Sequence, residues 1–223
     1  MVQARNLCKL FRGRRALDGV SFDVGAGAKC AVLGGNGAGK STLLKIFAGV
    51  VPPTSGSASI GGEEVFFAPP GLRSGIGYMP EDIQLYPDMR IREHLKFAGK
   101  LRGMDNNRLT RRMHDVLSLC ELAPHRDTVI SRLSHGERRR VALAATLLHE
   151  PALLILDDPI AGLDENNAAK IISLISDPSL SATTILFSTH SRDLAAVATQ
   201  TLKLVAGKLD PADSTELSSL RDS

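Results

Sequence analysis

Nine residues, Gly34-Gly35-Asn36-Gly37-Ala38-Gly39-Lys40-Ser41-Thr42, fit the phosphate-cradling pattern G-x-x-x-x-G-K-[ST]. Their glycines let the backbone turn without Cβ clashes, so that successive N–H groups can point inward as an anion nest. A helix beginning at the end of such a loop adds unpaired amide donors and the positive end of its dipole. Lys40 is then placed to reach the β- and γ-phosphates of ATP or GTP, and the Ser41 hydroxyl to ligate Mg²⁺. A second candidate is the pair Asp157-Asp158, which ends the apolar run starting at Leu153. A carboxylate at the carboxyl end of a buried parallel strand lies where α/β proteins bind their ligands. Asp157 would hold Mg²⁺ through water, and Asp158 would orient and activate the attacking water.

These groups need a scaffold, and the flanking pattern supplies one. Ala31-Val32-Leu33 before the loop reads as a strand. Leu43, Ile46 and Phe47 after it fall on one helical face, with Gly49 as the C-terminal cap and Pro52-Pro53 beyond. Val2 to Phe11 and Val20 to Val24 suggest an N-terminal antiparallel element. Ala58-Ser59-Ile60 and Val65-Phe66-Phe67, joined by Gly61-Gly62, predict further short strands. Ile91 to Gly103 and Asn107 to Leu122 read as helices. Ser134-x-x-Glu137 is a capping box that opens another helix, lined by Val141, Ala144, Ala145 and Leu148. Leu153 to Leu156 and Thr183 to Ser188 are continuous apolar runs of the kind found in buried parallel strands. Thr201 to Leu209 predicts a last hairpin around Gly207. The expected fold is α/β: a P-loop ATPase core over 1–82 and 151–209, an inserted α-helical subdomain over 83–150, and a polar tail over 210–223.

Composition narrows the function. The 223 residues are 43% hydrophobic and 23% charged, ordinary for one globular domain. A net charge of +3, an aromatic content of 4% and no tryptophan disfavour nucleic acid as a partner. Arg12-Gly13-Arg14-Arg15 and Arg138-Arg139-Arg140 are read as solvated or interface faces. No apolar run approaches the ~18 residues of a membrane span, so a membrane connection is expected through a partner. Cys8, Cys30 and Cys120 are scattered and read as reduced thiols.

With Leu133-Ser134-His135-Gly136-Glu137 added, the chain resembles the ATP-binding subunit of ABC transporters from about Arg5 to Leu209. Residues 34–42 match the family's Walker A motif and Leu153 to Asp158 its Walker B motif. Leu133 to Glu137 resembles the signature motif, and Ala161-Gly162-Leu163-Asp164 the D-loop. Ser188-Thr189-His190 resembles the switch-histidine segment, and Gly77 to Glu81 leads into the Q-loop. Phe11 falls where an aromatic ring stacks on adenine. The resemblance implies ATP and Mg²⁺ as ligands, with Ser41, Asp157 and Glu81 toward the metal and Asp158, His190 and Glu81 in the catalytic set. It implies a second ABC ATPase subunit, facing this one head to tail. Ser134, His135, Gly136 and Glu137 would then meet the γ-phosphate bound by the partner, near Asp164 of the D-loop. A transmembrane permease would dock near 81–104, holding the chain on the cytoplasmic face of the inner or plasma membrane. The stretch Gly77 to Gly103 is most similar to the exporter-type branch with separate permeases, which implies export. A soluble ABC-type ATPase acting on nucleic acid or an assembly machine is the alternative. A weakly hydrolysing, regulatory half of a heterodimer is another.

The motifs depart from the family at four informative positions. Asp158 stands where the resemblance leads one to expect glutamate, Glu81 and Glu137 where it leads one to expect glutamine, and His135 where it leads one to expect glycine. Gly35 in place of a common proline is harmless. The shorter Asp158 side chain withdraws its carboxylate by about 1 Å, a displacement that can cost ~100-fold in rate. Secure ATP binding with slow hydrolysis is therefore expected.

Overall fold

Alternate burial makes the first sheet. Val2 and Ala4 on β1 (Val2–Phe11) and Val20, Phe22 and Val24 on β2 (Arg14–Val24) turn inward, and the two strands pair antiparallel. β1 also pairs antiparallel with β4 (Ser55–Ile60), which turns back into β5 (Glu63–Glu64). The sheet order is β2-β1-β4-β5. The computed structural model describes residues 1–67 and 70–210. Of the tail expected over 210–223, only Asp210 falls among them.

The second sheet uses the continuous apolar runs. β3 (Lys29–Leu33), β6 (Ile76–Met79), β7 (Leu153–Asp157), β8 (Thr184–Ser188) and β9 (Gln200–Val205) are parallel neighbours, and β10 (Lys208–Leu209) closes an antiparallel hairpin on β9. Their order is β10-β9-β3-β8-β7-β6. Helix α1 (Lys40–Phe47) lies between the sheets and buries Leu43, Leu44, Ile46 and Phe47 there. Phe47 meets Phe22 of the first sheet at 5.7 Å between ring centroids. Each such side chain contributes about 1.5–3 kcal/mol by leaving water. Gly49 closes α1 at φ 70°, donating to Ile46 O at 2.9 Å while Val50 donates to Lys45 O at 2.9 Å.

On the opposite face of the parallel sheet a second core collects α3 (Ile91–Leu101), α4 (Asn106–Leu119), α5 (His135–Leu147) and α6 (Glu165–Ile175). The short helices α2 (Pro70–Ser74) and α7 (Arg192–Ala195) precede β6 and β9. One strand expectation is corrected. Val65, Phe66 and Phe67 form turns; the ladder with β4 holds Glu63 and Glu64, and Val65 N–H adds a last bond to Ala58 O at 2.9 Å. Phe67 N–H closes back on Glu64 O at 3.2 Å, which takes its donor out of any ladder.

Candidate active site

Strand order alone brings the chemistry together. β3, β8, β7 and β6 are consecutive neighbours, and their carboxyl ends lead into Gly34, Thr189, Asp158 and Pro80-Glu81. Register sharpens the alignment: Val32 faces Ser188, Ser188 faces Asp157, and Leu156 faces Met79. Neighbouring parallel strands stand about 4.8 Å apart, so four loops distant in sequence share one edge. A cleft of 560 Å³ opens there. It is lined by Phe11, Asn36 to Thr42, Glu81, Asp157 and Asp158, with Arg14, Ala16 and Ser188.

The loop 34–39 hands its amides to α1 without a side-chain cap. Gly39 is the N-cap at φ 110°, where a Cβ would lie 2.5 Å from Ala16 O. Only glycine fits, and glycine leaves the helix's first N–H groups open to an anion. Lys40 Nζ donates to Gly34 O at 2.8 Å and Gly35 O at 3.0 Å. Those bonds fix the ammonium over the loop with a third proton still to give.

Across the cleft, one chain of hydrogen bonds runs through both carboxylates. Ser41 Oγ donates to Asp157 Oδ1 at 3.0 Å, and Ser188 Oγ donates to the same oxygen at 2.7 Å. Ser188 Oγ in turn accepts from Asp158 N–H at 2.9 Å. Asp158 Oδ2 meets His190 Nδ1 at 3.0 Å, while Asp158 Oδ1 is buried with no partner among the described residues. Asp158 sits at φ 42°, the left-handed region that Asp tolerates better than most residues. The oxygen donors of Ser41 and Asp157 suit a hard divalent cation, and the unpartnered Asp158 Oδ1 is free to accept from a water. Burial, with the Asp157 charge second, pushes the neighbouring Tyr78 phenol up to about 12, so it stays neutral beside the site.

Phe11 stands at the mouth, 44% exposed, with Lys9 Nζ 4.8 Å from its ring centroid. The segment Ser134 to Glu137 does not line this cleft. It forms the N-terminus of α5, where Ser134 Oγ accepts from Glu137 N–H at 3.2 Å and Glu137 Oε2 accepts from Ser134 N–H at 2.8 Å. Gly136 is packed against Asn167, leaving no room for a side chain. His135 Nε2 lies 3.4 Å from Ala161 O. Asp164 caps α6, accepting from Asn167 N–H at 2.9 Å, and that bond leads the causes that hold its carboxyl below the usual range.

Four residues have placements that the sequence does not display. Arg14, expected on a solvated or interface face, lines the cleft, and its Nη2 would lie 3.1 Å from a Cβ at Gly37. Ser188 ties the two carboxylates together, a role that strand register sets and sequence does not display. Arg139 and Arg140, expected on a solvated or interface face, are only 4% and 7% exposed. Arg139 Nη1 donates to Asp158 O at 3.0 Å and Nη2 to Glu81 O at 3.2 Å. Arg140 Nη1 donates to Cys120 O at 3.3 Å. A signal for Arg139 was available: it lies four residues after His135, on the same helix face.

The family model for the ABC transporter matches residues 17–161. The linearmycin resistance ATP-binding protein LnrL of Bacillus subtilis is 32% identical over 190 residues, 85% of this chain and 61% of that protein. The energy-coupling factor transporter ATP-binding protein EcfA of Methanoculleus marisnigri is 35% identical over 203 residues, 88% of this chain and 72% of that one. Among solved structures, a dimeric post-hydrolysis state of the ATP-binding cassette MJ0796 bound to ADP and Pi superposes with a TM-score of 0.84. It covers 94% of this chain and 97% of that one at 23% identity, a likeness of fold.

Proposed function

The chain belongs to the ABC transporter family as an ATP-binding ATPase cassette, and from that premise we propose that it powers a partner membrane permease, in the direction of export, by ATP-driven head-to-tail dimerisation. The observation that carries the reading is the hydrogen-bonded chain Ser41–Asp157–Ser188–Asp158–His190 beside an uncapped phosphate loop. Among the described residues no helix is long and apolar enough to cross a membrane, and the seat proposed for the chain is at the permease, on the cytoplasmic face. The helical segment 83–150 is proposed as the subdomain that docks there through residues near 81–104.

In this reading the loop amides and Lys40 hold the β- and γ-phosphates, and Phe11 stacks on adenine. Ser41 and Asp157, with Glu81, would hold Mg²⁺, which would supply charge neutralisation at the phosphates. His190 orients a water and Asp158 takes its proton as the water oxygen bonds to the γ-phosphorus. The bond from that phosphorus to the bridging oxygen breaks, and ADP and phosphate leave. Ser134 and the amides at Gly136 complete the site from a second subunit, with the D-loop at Asp164 beside them. The dimeric MJ0796 cassette, bound to ADP and Pi, supports a dimer for this fold.

A specific observation favours a weakly hydrolysing variant of this function. Asp158 is short, and its Oδ2 is already engaged by His190 at 3.0 Å. The test is turnover of purified wild type and Asp158→Glu, with ATP affinity measured alongside. The longer side chain is expected to raise the rate; no gain at unchanged affinity rejects slow hydrolysis. Detergent extraction tests the partner: a co-purifying permease supports transport, whereas ribosomes or DNA in its place reverse that assignment.

A further inference from the structure

Arg139 joins its own helix to two loops that are far apart in sequence. From the first turns of α5 its guanidinium reaches the carbonyls of Asp158 at 3.0 Å and Glu81 at 3.2 Å, and its Nε lies 3.5 Å from His135 Nε2. It is 4% exposed, so these bonds do not compete with bulk water. Burial pulls its pKa down, the charges of Asp158 and Glu81 pull it back up, and guanidinium stays protonated throughout. The carbonyl it holds belongs to the residue at φ 42°. That residue is therefore held on both sides, its N–H by Ser188 Oγ at 2.9 Å and its C=O by Arg139, with Ala161 N–H also reaching the carbonyl at 3.1 Å. A left-handed non-glycine residue persists only where its surroundings over-determine it.

We propose that Arg139 is a positioning residue: it fastens the Asp158 peptide to the Glu81 loop, so that the Glu81 loop and the catalytic carboxylate move as one unit. The inference rests on Asp158 being the carboxylate that serves the attacking water. Its consequence is a route from the 81–104 surface to the chemistry that bypasses the nucleotide. If the Glu81 loop shifts, Arg139 carries the shift to the Asp158 carbonyl, and the left-handed residue re-aims its side chain. Displacements near 1 Å suffice to change rates by about 100-fold.

Arg140 provides the internal comparison. It is the next residue and similarly buried, but it binds Cys120 O at 3.3 Å and Glu121 Oε2 at 3.4 Å, away from both nucleotide-side loops. The experiment uses the full chain as Arg139→Met, Arg139→Lys and Arg140→Met, with steady-state ATP turnover, ATP affinity and hydrogen exchange on each. Arg139→Met is expected to lower kcat on the order of 100-fold with KM for ATP unchanged, the pattern of an interaction felt only in the transition state. Exchange should quicken together around Glu81 and Asp158. Arg139→Lys keeps the charge but reaches one carbonyl at a time, and should fall between the two. Should Arg139→Met fail to fold, the same split is read on the lysine variant. Arg140→Met should lower Tm and leave kcat intact. Wild-type kcat in the Arg139 variants, an equal kcat loss in Arg140→Met, or quickened exchange at only one of the two loops overturns the proposal. If the wild type does not turn over ATP, the catalytic reading of Asp158 falls instead, and joint exchange at the two loops still decides the strap.

Discussion

Two helix N-termini frame the phosphate chemistry, and they are built in opposite ways. At α1 the N-cap is Gly39, which has no side chain to accept a bond, and the first N–H groups face the cleft. At α5 the N-cap is Ser134, and Ser134 and Glu137 satisfy each other in a complete capping box. The first end waits for an anion from outside. The second carries its own, since the Glu137 carboxylate sits at the positive end of the helix dipole. On the proposed reading, a phosphate reaching α5 from a second subunit would meet the amides of His135 and Gly136 beside the Glu137 carboxylate, which accepts from Ser134 N–H. In that reading α1 would hold nucleotide in one subunit and α5 would add a weaker, conditional contact from the other.

The largest effect should come from breaking the open end. Lys40→Ala removes the ammonium fixed on Gly34 O and Gly35 O, and turnover should fall on the order of 100- to 1000-fold in a steady-state ATPase assay. Next is the carboxylate that the open end serves. Asp158→Asn keeps the bulk and the backbone bonds to Ser188 and Arg139, and should lose roughly 100-fold in kcat with ATP affinity unchanged.

At the closed end, Ser134→Ala should cost about 1 kcal/mol of stability, read as a lower midpoint in urea, because it removes a side-chain cap. The same change at Gly39 has no counterpart, since no side chain caps α1. The smallest effect is a matter of pH. Hydrogen bonding from Ser134 N–H leads the causes that hold Glu137 below its ordinary value of 4.5. A depressed carboxylate stabilises the fold above its unfolded pKa and loses that stabilisation as pH falls through the folded pKa. The Tm of wild type should thus decline below pH 4.5 more steeply than that of Glu137→Gln, whose amide does not titrate. Parallel curves would remove the built-in anion from the comparison.

Sequence exposed the open end almost completely, because every part of it is local. The strand, the glycines and the amphipathic face that follows lie within residues 29–49, and local periodicity reports them. The capping box of α5 was legible for the same reason. What sequence did not show depends on pairing between distant strands. Ser188 became the bridge between Asp157 and Asp158 only because β8 lies beside β7 in register. Arg139 reads in sequence as one of three arginines on a solvated or interface face, and only the packing of α5 against the Asp158 and Glu81 loops sets it apart. Val65 to Phe67 carried strand-forming residues, but after Val65 N–H bonds Ala58 O the chain turns, and Phe67 N–H closes on Glu64 O instead of continuing the ladder. Residue type told which groups could do chemistry, and topology told which of them share an oxygen.

The contrast between the two ends meets its sharpest test in the mass of the molecule. Sedimentation of Asp158→Asn with Mg²⁺ and saturating ATP, against ADP, reads whether nucleotide held at α1 recruits the α5 end of a second copy or of a partner cassette. The account predicts that ATP, and not ADP, converts the 23.8 kDa chain to a dimer, and that Ser134→Ala in the same background weakens it. A monomer at saturating ATP even with the partner cassette present, or a dimer indifferent to nucleotide, would contradict it.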